Sequence, residues 1–186
     1  MAKLCRMVSL LSVIMLVFFG MAFAKDAAAA TAEEIDIKVD AALERFYKEV
    51  GSGEKFVESA EGVLVFPSVF KAGLGIGGEY GEGALRIDGK TVDYYSTAAG
   101  SIGLQLGAQS KAIILVFLDK DVLANFRSSA GWEVGVDGSV ALITVGAGGS
   151  IDTTNIKDPI VGFVMSNKGL MFNVTLEGSK FTKIVR

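Results

Sequence analysis

From Gly62 onward, glycine sits inside the alternating segments of this chain rather than between them, and that placement limits the folds open to it. The run Gly73-Leu74-Gly75-Ile76-Gly77-Gly78 is the densest case, and related Gly-x-Gly or Gly-x-x-Gly clusters recur near Gly100, Gly131 and Gly146. Glycine within a strand marks a sharp bend or a place where another backbone comes close. The intervals between clusters are unequal and the intervening segments differ, so they mark similar strands and not a solenoid. With 23 Gly, only 2 Pro and 51% hydrophobic residues, the chain has the means to build a core, which excludes wholesale disorder.

Before Gly62 the period is helical. Residues 26–61 follow a helix pattern, opened by Thr31 and Glu34 in the T-x-x-E arrangement of a capping box. Ile35, Val39, Ala42, Phe46 and Val50 follow at spacings of 4, 3, 4 and 4, one apolar stripe. Glu34 with Lys38, and Glu44 with Lys48, are expected i,i+4 pairs on the other face. Gly51-Ser52-Gly53 breaks this helix, and a second short one is expected from Glu54 to Ala60.

The strand reading begins with Val63 to Phe66, closed by Pro67. Gly73 to Arg86 alternates around glycines, and Asp88-Gly89 is a hairpin signal before Thr91 to Ser96. Ser101 to Gln109 alternates again, and Ala112 to Leu118 is a continuous apolar run expected to be buried on both faces. Asp119 caps a short helix carrying Val122, Leu123 and Phe126. Further strands are expected at Trp132 to Val136, Ser139 to Val145 and Ile160 to Met165. A turn at Asn167-Lys168-Gly169 leads into Leu170 to Leu176, and the last strand runs from Phe181 to Val185. The fold class is therefore α+β: N-terminal helices packed on a strongly curved, glycine-rich, mainly antiparallel sheet with a tendency towards a barrel.

The first residues read as an export signal. Lys3 and Arg6 give a positive n-region, Leu10 to Gly20 an apolar h-region, and Ala22-Phe23-Ala24 an A-x-A cleavage site. The apolar stretch is short for a membrane span of about 20 residues. Residues 1–24 are thus a signal peptide and 25–186 a single domain, with a second candidate cut in the alanine run ending at Ala30. Cleavage after Ala24 removes two basic residues and no acidic one, taking the net charge from −3 to −5. A chain this acidic, with no basic block, is not built for nucleic acid. Secretion across the inner membrane makes the protein periplasmic or envelope-associated.

Catalytic chemistry is thinly provided for. The chain has no histidine, and its one cysteine, Cys5, lies in the n-region, so the exported form has no thiol. General-base, triad and common metal-site arrangements lose their usual residues. Two carboxylate pairs, Glu79 with Glu82 and Glu133 with Asp137, could in principle run glycoside chemistry, but each reads first as a solvated strand face. Gly73 to Gly78 formally satisfies G-x-G-x-x-G. A dinucleotide site needs that motif between a strand and a helix, and the next residues are acidic, glycine-rich Glu79-Tyr80-Gly81-Glu82-Gly83, which do not start a helix. No catalytic residue, metal or cofactor is expected.

Large apolar side chains are the more informative inventory. Most of them must be core, since a domain of this size buries about 70% of its surface. Phe70, Leu74, Tyr94, Tyr95, Trp132, Phe163, Met171 and Phe172 lie in or beside strands, and a subset of them is the candidate apolar ligand site or interface.

Four blocks, in order, carry a resemblance. Phe66-Pro67-Ser68-Val69-Phe70-Lys71-Ala72-Gly73, continuing through GLGIGGEYGEGAL, resembles the start of the SYLF domain. YYSTAAGSIGLQLGAQS, FRSSAGWEVGVDGSV and SNKGLMFNVTLEGSKFTKI are similar to its later blocks. The resemblance covers nearly all of the chain from about Thr31 and implies a binding role. Eukaryotic members bind phosphoinositide membranes and some bind or bundle actin; bacterial members are exported envelope proteins. The eukaryotic activities go with a basic N-terminal segment, whereas residues 31–62 here hold four basic residues against nine acidic ones. Phosphoinositide binding is therefore not carried over, and actin is not a partner available to an exported bacterial protein. The expected function is a non-catalytic envelope protein that binds lipid or a membrane surface through apolar residues of the sheet. The alternative is a structural or stress-related envelope protein that binds other proteins and no lipid. Intact-mass measurement of the exported form should give an N-terminus at Lys25, or near Thr31 if the second site is used; recovery of the uncut chain from the cytoplasm would overturn this.

Overall fold

The computed structural model describes residues 30–143, 158–166, 169–170 and 175–186, with the backbone alone described at 73–76, 101–108 and 169–170. The chain divides into two units, Met1–Ala30 and Thr31–Arg186, and the second carries the fold. The expected export signal at 1–24, the Gly146 cluster, and most of the strand expected from Leu170 to Leu176 lie outside the described residues.

Helix α1, Ala32–Glu49, starts where the capping box places it. The Thr31 hydroxyl accepts the Glu34 N–H at 3.2 Å, and the Thr31 N–H donates to Glu34 Oε2 at 3.1 Å. That second bond turns Glu34 back over the helix end, and the expected Glu34–Lys38 pair does not form. The expected Glu44–Lys48 pair does not form either, and the i,i+4 ion pair within this helix is Arg45–Glu49 at 2.7 Å. Ile35, Val39, Phe46 and Val50 are buried, as the stripe predicts. After the glycine break, α2, Gly53–Glu58, brings Phe56 beside Phe46. Both rings meet Phe163 edge-on, at centroid distances of 5.5 and 4.7 Å.

Two very long strands come next, β1 (Gly62–Ile87, 26 residues) and β2 (Lys90–Phe117, 28 residues). They pair antiparallel from Gly62↔Phe117 down to Ile87↔Lys90. The connection is Asp88-Gly89, with φ of 50° and 73°. Positive φ at both positions is the type I′ turn that the Asp-Gly signal predicts. Pro67 does not close a strand, contrary to the expectation from sequence. It sits in a bulge between Phe66 and Val69, where three steps of β1 oppose two of β2. A bulge leaves a residue outside the ladder, so the missing N–H of proline costs no hydrogen bond.

A 26-residue strand laid straight would reach about 85 Å. β1 instead folds back on itself through the glycine cluster. Lys71 Nζ lies 3.4 Å from Glu79 Oε1, eight residues further along the same strand. A Cβ at Gly81 would stand 2.8 Å from the Ser68 carbonyl oxygen and Val69 Cγ2, and one at Gly83 would stand 2.1 Å from the Val65 carbonyl oxygen. The second half of β1 therefore runs against the backbone of the first half, and glycine is what permits that approach.

The other edge of β2 is shared by two strands. β5 (Ile160–Ser166) pairs with Lys111–Phe117, and β7 (Lys180–Ile184) pairs with Tyr94–Ala98. β3 (Trp132–Glu133) joins β7, while β4 (Ala141–Leu142) and β6 (Gly169–Leu170) join β5; only β4 is parallel to its neighbour. The result is the expected α+β fold, with helices against a mostly antiparallel, strongly curled half-barrel. α3 (Lys120–Ser128), capped by Asp119 Oδ1 on the Val122 N–H at 2.9 Å, sends Phe126 into the core. There its ring lies 5.0 Å from Tyr95, 4.9 Å from Phe117 and 5.6 Å from Trp132. Asp36 fastens α1 to the hairpin tip, accepting from Thr91 Oγ1 at 2.7 Å and from the Tyr94 hydroxyl at 2.9 Å.

Trp132 to Val136 is shorter as a strand than expected. It ends after Glu133, because Gly135 at φ 87° starts a turn that Asp137 Oδ2 holds by accepting the Glu133 N–H at 2.7 Å.

Gly83→Ala should cost about 1–3 kcal/mol, the range for overpacking a filled site, and lower the melting temperature. Gly100→Ala, where a Cβ meets nothing within 4 Å, should leave it nearly unchanged. Equal melts for the two variants would refute the fold-back contact.

Candidate functional site

The fold-back creates a corner. Its two segments, residues 72–78 of β1 and 100–108 of β2, contain no charged residue, and they pair through Gly73↔Gly107 and Gly75↔Gly103. At its base Glu79 lies between Lys111 Nζ, at 2.6 Å, and Lys71 Nζ, at 3.4 Å. Glu79 and Lys111 side chains are both only 11% exposed, so water screens this pair less than it would a surface pair.

That inward ion pair decides what faces outward. Successive side chains alternate across a strand, so with Lys71 and Glu79 facing each other, their neighbours Phe70 and Tyr80 are turned away. Phe70 is 61% exposed and Tyr80 53% exposed. The Tyr80 hydroxyl donates to Glu82 Oε1 at 2.7 Å, and Arg186 also binds that carboxylate. The ring is thereby held at the surface. Burial and the Glu82 carboxylate both push the Tyr80 pKa above its usual value, so the ring meets any partner as a neutral group.

The other expected site residues are distributed differently. Tyr95, Trp132 and Phe163 are buried core, with 2%, 5% and 0% exposure. Tyr94 is half-buried and committed to Asp36. Leu74 lies on β1 within the corner, and Met171 and Phe172 fall outside the described residues. Of the eight, Phe70 is the one shown exposed among the described side chains. Sequence reasoning missed Tyr80 and the Lys71–Glu79–Lys111 cluster; the signal available was the uncharged glycine run bounded on each side by an aromatic and a charged residue.

The carboxylate pairs are not poised for catalysis. Glu79 is held by two lysines and Glu82 by Tyr80 and Arg186, three positions apart on opposite strand faces. Asp137 is spent on a backbone N–H. The G-x-G-x-x-G run lies wholly inside β1, with no helix at its end. Among the described residues, no group of three or more His, Cys, Asp or Glu is placed to hold a metal ion.

The arrangement is a curled sheet with an uncharged corner flanked by two exposed aromatics. Residues 98–184 match the Ysc84 family, described as Las17-binding protein actin regulator. The match spans the second half of β2, α3 and β3 to β7, and it is to the family that the sequence blocks resemble. That family comprises binding domains of lipid- or actin-regulator type and is not known as enzymatic. A search of curated proteins finds no match.

Tyr95 offers a test of the core beneath the site. Its hydroxyl is buried without a hydrogen-bond partner among the described residues, and burial, with a smaller contribution from Asp93, pushes its pKa up to about 12. The unfolded phenol titrates near 10. Folding therefore favours the protonated form; its contribution is complete below pH 10 and is lost as pH rises from about 10 to about 12. Tyr95→Phe should be neutral or stabilising at pH 7, since it removes an unsatisfied buried group. It should also flatten the loss of melting temperature across that alkaline window. A large destabilisation at pH 7 would mean the hydroxyl has a partner.

Proposed function

We propose that the protein is an exported, non-catalytic lipid-binding protein of the cell envelope that meets lipid with the fold-back corner of β1 and β2. The observation carrying this reading is the exposure of Phe70 and Tyr80 on either side of an uncharged, glycine-rich turn-back. Exposed aromatics beside an uncharged, glycine-rich tip are suited to the interface between water and acyl chains, where one end of the ring is wet and the other dry. The charge pattern agrees: Glu79 neutralises one of its two lysines, leaving a single positive charge at the base of the corner. α1 as a whole carries six acidic against three basic residues, so it offers the surface of an anionic bilayer little attraction. Binding then depends on buried area, at about 25 cal/mol per Å², and only weakly on salt.

A second reading has support from the family's description as Las17-binding: the same aromatic corner docks an envelope protein. Co-sedimentation with neutral and anionic vesicles, at low and high salt, separates the two. Wild-type protein should bind both vesicle types with little salt dependence. The Phe70→Ala/Tyr80→Ala double variant should bind at least about tenfold more weakly, since each half-exposed ring has roughly 1 kcal/mol of further burial to gain. Absence of binding to either vesicle would overturn the lipid reading and put the protein-partner reading in its place.

A further inference from the structure

The capping box has a second effect, at a groove next to the corner. Because Glu34 is drawn back to the Thr31 N–H, Lys38 makes no ion pair or hydrogen bond among the described residues. Its side chain lines a groove between α1 and the strand bulge. Ala41 and Ala42 form the helix wall, Pro67 sits at the bulge, and Ala112 and Met165 line the β2 and β5 side. Small residues on the helix and a bulge beneath it leave space that a regular strand under a leucine-bearing helix would fill. At the far end Arg45 is already committed, to Glu49 and to the Ser166 carbonyl oxygen. Ser68, next to Pro67 in the bulge, also lines the groove, and its hydroxyl is paired with that of Ser110 at 2.9 Å. The groove is therefore mainly apolar, with one uncommitted cation on its rim among the described residues.

We infer that this groove binds a single-chain anionic amphiphile, its acyl chain along the alanine wall and its carboxylate at Lys38. The volume, about 250 Å³, falls below the ~300–1,000 Å³ of pockets for drug-sized ligands. That suits one slender chain and not a two-chain lipid. The sign of the head group follows from Lys38, the cation on the rim without a counter-ion. The inference extends the lipid-binding reading to a detached chain in a groove of its own, and it does not require the corner to touch a bilayer.

Laurate below its micellar concentration, titrated into the full chain without vesicles, is the direct probe, with dodecyltrimethylammonium as the same chain under the opposite charge. Laurate should bind at one site, and the cationic amphiphile about fivefold or more weakly. Ala41→Leu, at an exposed helix position, should fill the groove and abolish laurate binding while the melting curve stays unchanged. Lys38→Glu should weaken laurate by about five- to tenfold, within the reach of an exposed charge pair, and narrow or reverse the preference between head groups. The Phe70→Ala/Tyr80→Ala variant, which tests the corner, should bind laurate as wild type does. No laurate binding, binding that survives Ala41→Leu, or equal binding of both amphiphiles would overturn the groove assignment. Loss of vesicle binding alone would leave the groove standing and refute only the corner.

Discussion

The contact of β1 with itself is the constraint on which the rest of the domain depends. Without a side chain at Gly81 and Gly83, the second half of the strand can lie on the backbone of the first. Every later feature depends on that approach. It brings Glu79 to Lys71 and Lys111, turns Phe70 and Tyr80 outward, and divides the free edge of β2 into one stretch for β5 and another for β7. An alternating sheet with ordinary side chains at those two positions would have to open, and the corner would open with it.

What could be read from the sequence was what is local. The capping box at Thr31, the stripe from Ile35 to Val50, the Asp88-Gly89 turn and the Asp119 cap each involve groups within a few residues of one another, and each stands where its spacing places it. The fold-back was legible only in kind. Glycines inside strands announce bends or close approach, but the sequence does not say which glycine is crowded. Gly83 is, and it stands outside the densest cluster.

The site was harder to read, for a reason visible at Pro67. Phe66 and Phe70 share strand parity, so alternation puts them on one face. The bulge between them inserts a step, and Phe66 enters the core beside Val69 while Phe70 is turned to solvent. Tyr95, Trp132 and Phe163 look no different from Phe70 in a sequence. Their burial is set by α3, β7 and the two N-terminal helices, all of which come from elsewhere in the chain.

The late arrival of β7 bears on how the chain reaches this fold. Its partner on β2, Tyr94–Ala98, precedes it by more than eighty residues, and the pairing is fastened by Lys183 on Asp93 at 2.5 Å. The hairpin of β1 and β2, closed by a two-residue turn, needs only its own sequence to form. During synthesis it therefore emerges first, with one edge of β2 bare from Tyr94 to Ala98 until residues 180–184 are made. An open edge of this kind is a template for pairing with another chain. Assembly thus ends with the protection of the strand that was available first, and the speed of the last step sets how long a nascent molecule stays vulnerable to its neighbours.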